Sequence, residues 1–159
     1  MELRIYAAGD AETTLAIFLR AVRETARAHY SPVQIAAWAA DSGDLDSWAA
    51  ARSAAHTRLA IVDGQVAGFA DLDGHGHIDM LFVDPDFGRQ GIASALVASM
   101  ADLGRRRGLP AVTTFASLTS RSVFERRGFV VTGHRYFGEG DGAVKTYEMR
   151  CVLDGPDPP

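Results

Sequence analysis

A short glycine-bearing loop between an apolar run and a helical pattern constrains this fold more than any other feature. Residues 83–97 read VDPDFGRQGIASALV. The apolar run ends at Val83, and Gly88 and Gly91 stand three positions apart before the helical pattern begins. The first N–H groups of a helix have no partner within it, and with the positive end of the helix dipole they favour an anion. The loop therefore predicts a phosphate or pyrophosphate site.

The residue types in this loop suit a phosphate. Glycine lets the backbone approach an anion closely because it has no Cβ, and Arg89 supplies a forked cation. The P-loop pattern is absent because no lysine follows Gly91, and the GxGxxG dinucleotide pattern is absent as well. A pair of glycines is a weak signal by itself, so an ordinary helix start is the alternative interpretation.

The overall composition narrows the function classes. A formal net charge of −4 argues against nucleic acid as the main partner, since phosphate backbones are bound by clustered cations. The one basic cluster, 104–108, is interpreted as the charged last turn of a helix. No window reaches the roughly 18 apolar residues of a membrane span, and no signal peptide pattern is present. The single cysteine, Cys151, is expected to be a buried apolar side chain in a reducing compartment. We expect a cytoplasmic protein without a metal or membrane partner.

Hydrophobic periodicity predicts the element order β-α-α-α-β-β-β-α-β-α-β-β. The predicted strands cover 3–8, 57–62, 65–72, 77–83, 111–117, 129–137 and 143–153. The predicted helices cover 11–29, a segment beginning at Ser31, 47–56, 91–107 and 120–128. An antiparallel run followed by βαβ-like units indicates a single α+β domain over 1–153, with a mixed sheet flanked by helices. Residues 154–159 are predicted to be a disordered tail.

Local signals support several of these boundaries. Ser31 and Gln34 form a capping box around a proline at the first helical position. Asp10 is predicted to cap the first helix. Asp63 and Gly64 are typical of a tight hairpin turn between two strands.

Three segments together resemble the GNAT N-acetyltransferase superfamily, and the resemblance covers roughly 1–153. They read LAIVDGQVAGFADL, IDMLFVDPDFGRQGIASALV and FASLTSRSVFERRGF. The segment YSPVQIAAWA resembles a small bacterial branch whose substrates are uncharacterised. The resemblance implies the GNAT fold, with about six or seven strands in a mixed central sheet that splays between strand 77–83 and strand 111–117. It also implies acetyl-CoA as the cosubstrate.

The resemblance assigns the cofactor to the loop and to the strand before it. The family pattern Gln/Arg-x-x-Gly-x-Gly/Ala cradles pyrophosphate with backbone amides; here Gly91 and Ala93 match, whereas Gly88 replaces the first residue. Backbone groups at the end of the preceding strand pair with the pantetheine amides. The implied cofactor-binding residues are Leu81, Phe82, Val83, Gly88, Arg89, Gln90, Gly91, Ile92, Ala93, Ser94, Ser117 and Phe124.

Acetyl transfer to an amine requires a neutral amine and, commonly, a base that accepts its proton. His77 and Asp79 lie two apart on one predicted strand and so share a face. His77 falls where several family members carry a catalytic glutamate, and histidine titrates near neutrality. We therefore predict His77, and after it Asp79, as the base; solvated polar residues at a strand start are the alternative.

The family's usual acid and its usual asparagine are both replaced. Phe124 occupies the position of the tyrosine that serves as general acid in the family, and Ser117 occupies the position of the family's asparagine. Tyr147 and Tyr136 are candidate substitute donors, although strand tyrosines more commonly make structural hydrogen bonds.

The resulting hypothesis is an acetyl-CoA-dependent N-acetyltransferase that acts on a small-molecule amine or an exposed peptide amine. Direct transfer is expected, because no convincing covalent nucleophile is present. A non-catalytic acyl-CoA binding or sensing module is the alternative, and acetylation of aminoacyl-tRNA would require a basic face that the net charge disfavours. The helices of Trp38 and Trp48 are expected to wall the acceptor side. Whether the chain pairs with a second copy stays open.

Overall fold

A computed structural model describes residues 1–153, and the tail predicted at 154–159 lies outside the described residues. The strands are β1 (Glu2–Ile5), β2 (His56–Val62), β3 (Gln65–Leu72), β4 (His77–Ile78), β5 (Leu81–Val83), β6 (Ala111–Ala116), β7 (Val130–Phe137) and β8 (Val144–Val152). The helices are α1 (Ala11–Arg20), α2 (Pro32–Ala40), α3 (Leu45–Ala54), α4 (Ile92–Arg106) and α5 (Arg121–Arg126). None of the helices within 1–153 has both the length and the hydropathy that a membrane span needs.

The eight strands of residues 1–153 form two four-stranded sheets. The first has the order β1-β2-β3-β5 and is antiparallel throughout. The second has the order β4-β6-β8-β7, in which β4 and β6 are the parallel pair. The predicted α+β class is confirmed. The number of strands exceeds the expected six or seven because the strand predicted at 77–83 is two strands.

The break in this strand lies at Asp79 and Met80. On one side of it β4 pairs with β6, and on the other side β5 pairs with β3. Consecutive halves of one extended segment therefore belong to different sheets. The splay predicted between 77–83 and 111–117 is confirmed, and it begins after Ile78.

Two clusters of buried apolar side chains flank the first sheet. One contains an apolar stripe of α4, with Ile92, Leu96 and Met100 packed among residues of β3, β6 and β8. The other joins α1, α2 and α3 to the opposite face of β2 and β3. Alternation along β3 puts Ala70 in the first cluster and Phe69 in the second.

Two of the predicted local signals are observed as expected. The Ser31 hydroxyl accepts the N–H of Gln34 at 3.2 Å, and the Gln34 side-chain oxygen accepts the N–H of Ser31 at 2.9 Å. Asp63 and Gly64 both have positive φ, 50° and 76°, as a two-residue hairpin turn with matching twist requires.

The predicted cap at Asp10 is wrong. A 3₁₀ turn, Ala8–Asp10, precedes α1, so the chain is already helical at this residue. The Asp10 carboxylate instead accepts two hydrogen bonds of 2.8 Å from Arg4 and one from the N–H of Ala7. Beyond α1 the helical path continues through a wider turn, Ala21–Thr25, which accounts for the longer helix predicted at 11–29.

Candidate active site

The divergence of the two sheets opens a cavity of about 320 Å³. The broken strand, the end of β6, α2, α5 and the connection between β7 and β8 supply its walls. Six of the residues predicted from the sequence line it: His77, Asp79, Leu81, Phe82, Ser117 and Phe124.

The backbone of β5 is open toward this cavity. Asp84, directly after β5, donates its N–H to the carbonyl of Ala67 on β3 at 2.8 Å. Hydrogen-bonded residues alternate along an antiparallel pair, so the backbone of Phe82 is also hydrogen-bonded to β3. The backbone N–H and C=O groups of Leu81 and Val83 therefore point away from β3. Within 1–153 no strand pairs with that edge of β5. Leu81 and Val83 thus offer backbone groups to a ligand, whereas Phe82 reaches the cavity with its side chain.

The glycine-bearing loop presents unpaired N–H groups at the start of α4. Gly91 precedes the helix in a left-handed conformation with φ of 76°, and no side chain caps the helix. The first helical hydrogen bond runs from Ala95 to Gly91, so the N–H groups of residues 92–94 have no acceptor within the described chain. A left-handed residue followed by a helical one forms a concave nest for anions. This geometry fits a pyrophosphate.

Two exposed guanidinium groups flank the nest. Arg89 lies in the loop with φ of 60° and makes no ion pair with any residue of the described chain. Arg127 donates from Nε to the Ser94 hydroxyl at 2.7 Å, which places it at the first turn of α4. Both side chains can therefore add positive charge where the backbone already favours an anion.

Gly88 is not required by the backbone. Its φ of −61° is accessible to any residue, and a Cβ built there would come no closer than 3.5 Å to the Pro85 carbonyl. The departure from the family's residue at this position therefore removes a side chain and leaves the loop conformation unaffected.

His77 is half-buried in the cavity wall. Its Nδ1 lies 2.9 Å from the hydroxyl of Thr113, and its ring lies 4.5 Å from the ring of Phe115. Burial lowers the pKa of His77 below its ordinary value, although the charges of Asp73 and Asp79 act in the opposite direction. A neutral imidazole retains one nitrogen that accepts a proton.

Ser117 and Phe124 lie where β6 leads into α5. The hydroxyls of Ser117 and Ser120 are 3.0 Å apart, and each accepts the backbone N–H of the other residue at 3.1 Å. Tyr30 fixes the same loop, since its hydroxyl accepts the N–H of Leu118 at 2.7 Å. Phe124 is buried and packs edge-on against Phe129 at 5.1 Å, so position 124 supplies no hydroxyl.

The structure does not bring the two candidate tyrosine donors to the cavity. Tyr147 lies on β8, and its ring centroid is 4.4 Å from the guanidinium carbon of Arg121 and 5.4 Å from the ammonium nitrogen of Lys145. Tyr136 lies on β7 and is exposed. Neither is among the residues that line the cavity.

A match to the acetyltransferase (GNAT) domain family covers residues 26–153. The chain belongs to the GNAT acetyltransferase family. The Escherichia coli K12 protein described as uncharacterized N-acetyltransferase YafP is 40% identical over 129 residues, 81% of each chain. The family recognised from the motifs is confirmed, and with it the assignment of the chain as an N-acetyltransferase.

Solved structures agree with this fold. A GCN5-related N-acetyltransferase from Rhodopseudomonas palustris has a TM-score of 0.91 at 32% identity, covering 96% of this chain and 95% of that one. The protein yncA from Salmonella typhimurium, solved with its cofactor acetyl-CoA, has a TM-score of 0.75 at 21% identity, covering 100% and 97% of the two chains.

Only one of the two expected tryptophans walls the cavity of this acetyltransferase. Trp38, on α2, lines it near Asp41. Trp48 is 3% exposed, packs on Phe18 at 5.1 Å and donates its indole N–H to Thr14 at 3.0 Å. The expectation that the Trp48 helix walls the acceptor side is wrong, because this side chain belongs to the core.

Asp71, on β3, was not among the site residues predicted from the sequence. It is 1% exposed, and its Oδ1 accepts the N–H groups of both Asp79 and Met80 at 3.0 Å. Its Oδ2 lies 3.5 Å from the buried guanidinium of Arg52. Burial raises the pKa of Asp71 to about 6, against the opposing effect of Arg52 and the backbone donors. The available signal was a carboxylate within the apolar strand QVAGFADL.

Proposed function

We propose that this acetyltransferase moves the acetyl group of acetyl-CoA directly to a primary amine of a small molecule or an exposed peptide. One observation carries the proposal: the uncapped start of α4, the open backbone edge of β5 and the cavity lined by His77 follow one another along the split between the sheets.

The cofactor contacts follow this order. The pyrophosphate accepts hydrogen bonds from the N–H groups of residues 92–94, with Arg89 and Arg127 beside it. The pantetheine amides pair with the outward backbone groups of Leu81 and Val83. The thioester then lies at the cavity, where it meets the amine.

The reaction is an acyl substitution in which the amine nitrogen bonds to the acetyl carbon and the carbon–sulfur bond breaks. His77 takes the proton that the amine loses, using Nε2 in the tautomer whose Nδ1–H donates to Thr113. Phe124 cannot protonate the leaving group. A thiolate is a far better leaving group than an alkoxide, since even the cysteine thiol of short peptides titrates near 8.5, so the thiolate can depart near neutral pH without a strong acid.

The acceptor side of the cavity suits an amine with an apolar portion. Trp38, Phe115 and Phe137 supply aromatic surface, and Asp41 and Asp79 supply exposed carboxylates. Carboxylates attract an alkylamine in its protonated form, and aromatic faces also attract cations.

A panel of amines tests the proposal. The purified chain is incubated with acetyl-CoA and, in turn, polyamines, amino acids, aminoglycosides and peptides with free N-termini, and thiol release is followed against a reaction without amine. We expect release that depends on at least one amine class, with mass spectrometry showing one added acetyl group. Tight acetyl-CoA binding by calorimetry without amine-dependent release from any class would favour the acyl-CoA sensing module instead.

A further inference from the structure

We propose that Asp71 and Thr114 are positioning residues that hold the split strand open for the cofactor. The inference rests on the proposed use of acetyl-CoA, and it assigns the shape of the cleft to two buried side chains on opposite sides of the break.

Where a strand leaves one sheet for another, its backbone N–H and C=O groups lose their hydrogen-bond partners in both sheets. Between β4 and β5, the N–H groups of Asp79 and Met80 belong to neither regular ladder, and the carbonyl of Ile78 lies at the end of the β4 pairing. Ile78 is 1% exposed. Buried backbone polar groups need hydrogen-bond partners, so something other than a strand must supply them here.

Asp71 supplies the acceptor on the β3 side. One carboxylate oxygen takes both N–H groups, at 3.0 Å each, while the N–H of Asp71 itself donates to the carbonyl of Met80 at 3.1 Å. The side chain thus replaces a backbone carbonyl at the position where regular pairing with β3 stops. Arg52, stacked at 4.6 Å on Trp48, lies behind the second oxygen.

Thr114 supplies the donor on the β6 side. It is 3% exposed, and its hydroxyl donates to the Ile78 carbonyl at 2.9 Å. The two sheets therefore each contribute one side chain to the break. Without them, the freed backbone groups recover partners only if the chain moves, and that movement changes the edge of β5 that faces the pantetheine.

The sharpest test compares Asp71→Asn with Asp71→Leu. The two replacements have similar size and both remove the charge beside Arg52, but only asparagine keeps an oxygen for the two N–H groups. In Asp71→Leu we expect acetyl-CoA binding measured by calorimetry to weaken at least tenfold, about 1.4 kcal/mol. In Asp71→Asn we expect it to stay within about threefold of the parent.

Amide hydrogen exchange reports on the break without any ligand. We expect slow exchange of the Asp79 and Met80 amides in the parent and in Asp71→Asn, and fast exchange in Asp71→Leu. Equal binding and equal exchange in the two variants would overturn the proposal, since Asp71 would then act only through its charge beside Arg52. If the parent does not bind acetyl-CoA, the proposed function fails, and the exchange pattern still decides the role of Asp71.

Thr114→Val and Thr14→Val form a second matched pair, which decides the matter if Asp71→Leu does not fold. Both threonines are buried and donate to a backbone carbonyl, but Thr14 lies on α1 and bonds to Asp10 at 2.9 Å, away from the break. We expect weaker acetyl-CoA binding only in Thr114→Val, and equal effects in the two variants would overturn the role of Thr114.

Discussion

Gly91 combines two requirements that only glycine meets. Its φ of 76° is strained for any residue with a Cβ, and its backbone lies at the proposed pyrophosphate site. We expect Gly91→Val to weaken acetyl-CoA binding at least tenfold, about 1.4 kcal/mol, in a calorimetric titration. Gly88→Ala is the control, because the φ of Gly88 is ordinary and a Cβ there makes only an ordinary contact of 3.5 Å with the Pro85 carbonyl. Unchanged affinity in Gly91→Val would remove the pyrophosphate from this loop.

The titration of His77 is expected to produce the ascending limb of the pH–rate profile, on its acidic side. Burial lowers the pKa of His77. The neutral imidazole, which can accept a proton, therefore predominates down to a lower pH than it does in an exposed histidine. The parent rate should rise with pH through that region, and His77→Gln should lose this limb together with most of the turnover. His75→Gln is the control, since His75 is exposed and does not line the cavity. An identical profile in His77→Gln would assign the proton to solvent or to another group.

The titration of Asp71 is expected to appear in the stability of the fold. Its pKa is raised to about 6 in the folded chain, whereas an exposed aspartate titrates near 3.9. The folded state therefore holds the proton more tightly, and this group's contribution to the free energy of unfolding falls as pH rises through that interval. Relative to the parent, Asp71→Asn should gain up to about 3 kcal/mol between about pH 4 and pH 7 in urea denaturation. If the difference in unfolding free energy between Asp71→Asn and the parent does not change with pH, the pKa of Asp71 is not raised in the folded chain.

At the scale of elements, α2 shows how a helix is placed for function by a side chain that also caps it. Gln34 completes the capping box with Ser31, and its side-chain N–H donates to the carbonyl of Ala143 at 2.9 Å. That second bond ties α2 to the connection between β7 and β8. Trp38 and the residues after α2 thereby line the cavity.

The two capping residues are expected to differ in their effect on the amine. Ser31→Ala removes the cap alone, and we expect a loss of about 1 kcal/mol in the free energy of unfolding with an unchanged KM for the amine. Gln34→Ala also removes the bond to Ala143, so the KM for the amine should rise while the KM for acetyl-CoA stays constant. Steady-state kinetics with both substrates make the comparison, and equal amine KM values in the two variants would contradict it.

At the scale of the whole molecule, Gly68 lies on β3 in close contact with both β5 and α4. A Cβ at this position would lie 2.8 Å from the carbonyl oxygen of Phe82 and 3.3 Å from both Val83 Cα and Ile92 Cγ2. The backbone of β5 would have to shift to make room, and this backbone borders the cleft. Packing of the core and the shape of the cofactor cleft are therefore coupled through one position.

Gly68→Ala is expected to lower stability and cofactor affinity together. Overpacking of this kind costs roughly 1–3 kcal/mol of unfolding free energy, and displacement of β5 should weaken acetyl-CoA binding in calorimetry. Gly74→Ala is the control, because nothing lies within 4 Å of a Cβ at that glycine. A stable Gly68→Ala variant with parental affinity would show that this position does not couple core packing to the shape of the cleft.

The sequence by itself determined the features that depend on neighbours along the chain. Helical and strand periodicity predicted the element order except for the division of 77–83 into two strands. The Ser31–Gln34 box predicted the start of α2, and the Asp63–Gly64 turn predicted the hairpin. The loop at Gly91 was predictable for the same reason, since a left-handed glycine before an uncapped helix is a local arrangement. These local patterns were also sufficient for recognition of the family.

Only the tertiary structure decided which residues meet at the cleft. The N–H of Asp79 at the break bonds to Asp71, eight residues earlier on a different strand, and the pKa of Asp71 depends on burial beside Arg52. Trp48 and Tyr147 carry side chains that suit a site, yet packing puts the first in the core and the second outside the cavity. Burial and long-range hydrogen bonds arise from the folded arrangement of distant segments, and no spacing within one segment encodes them.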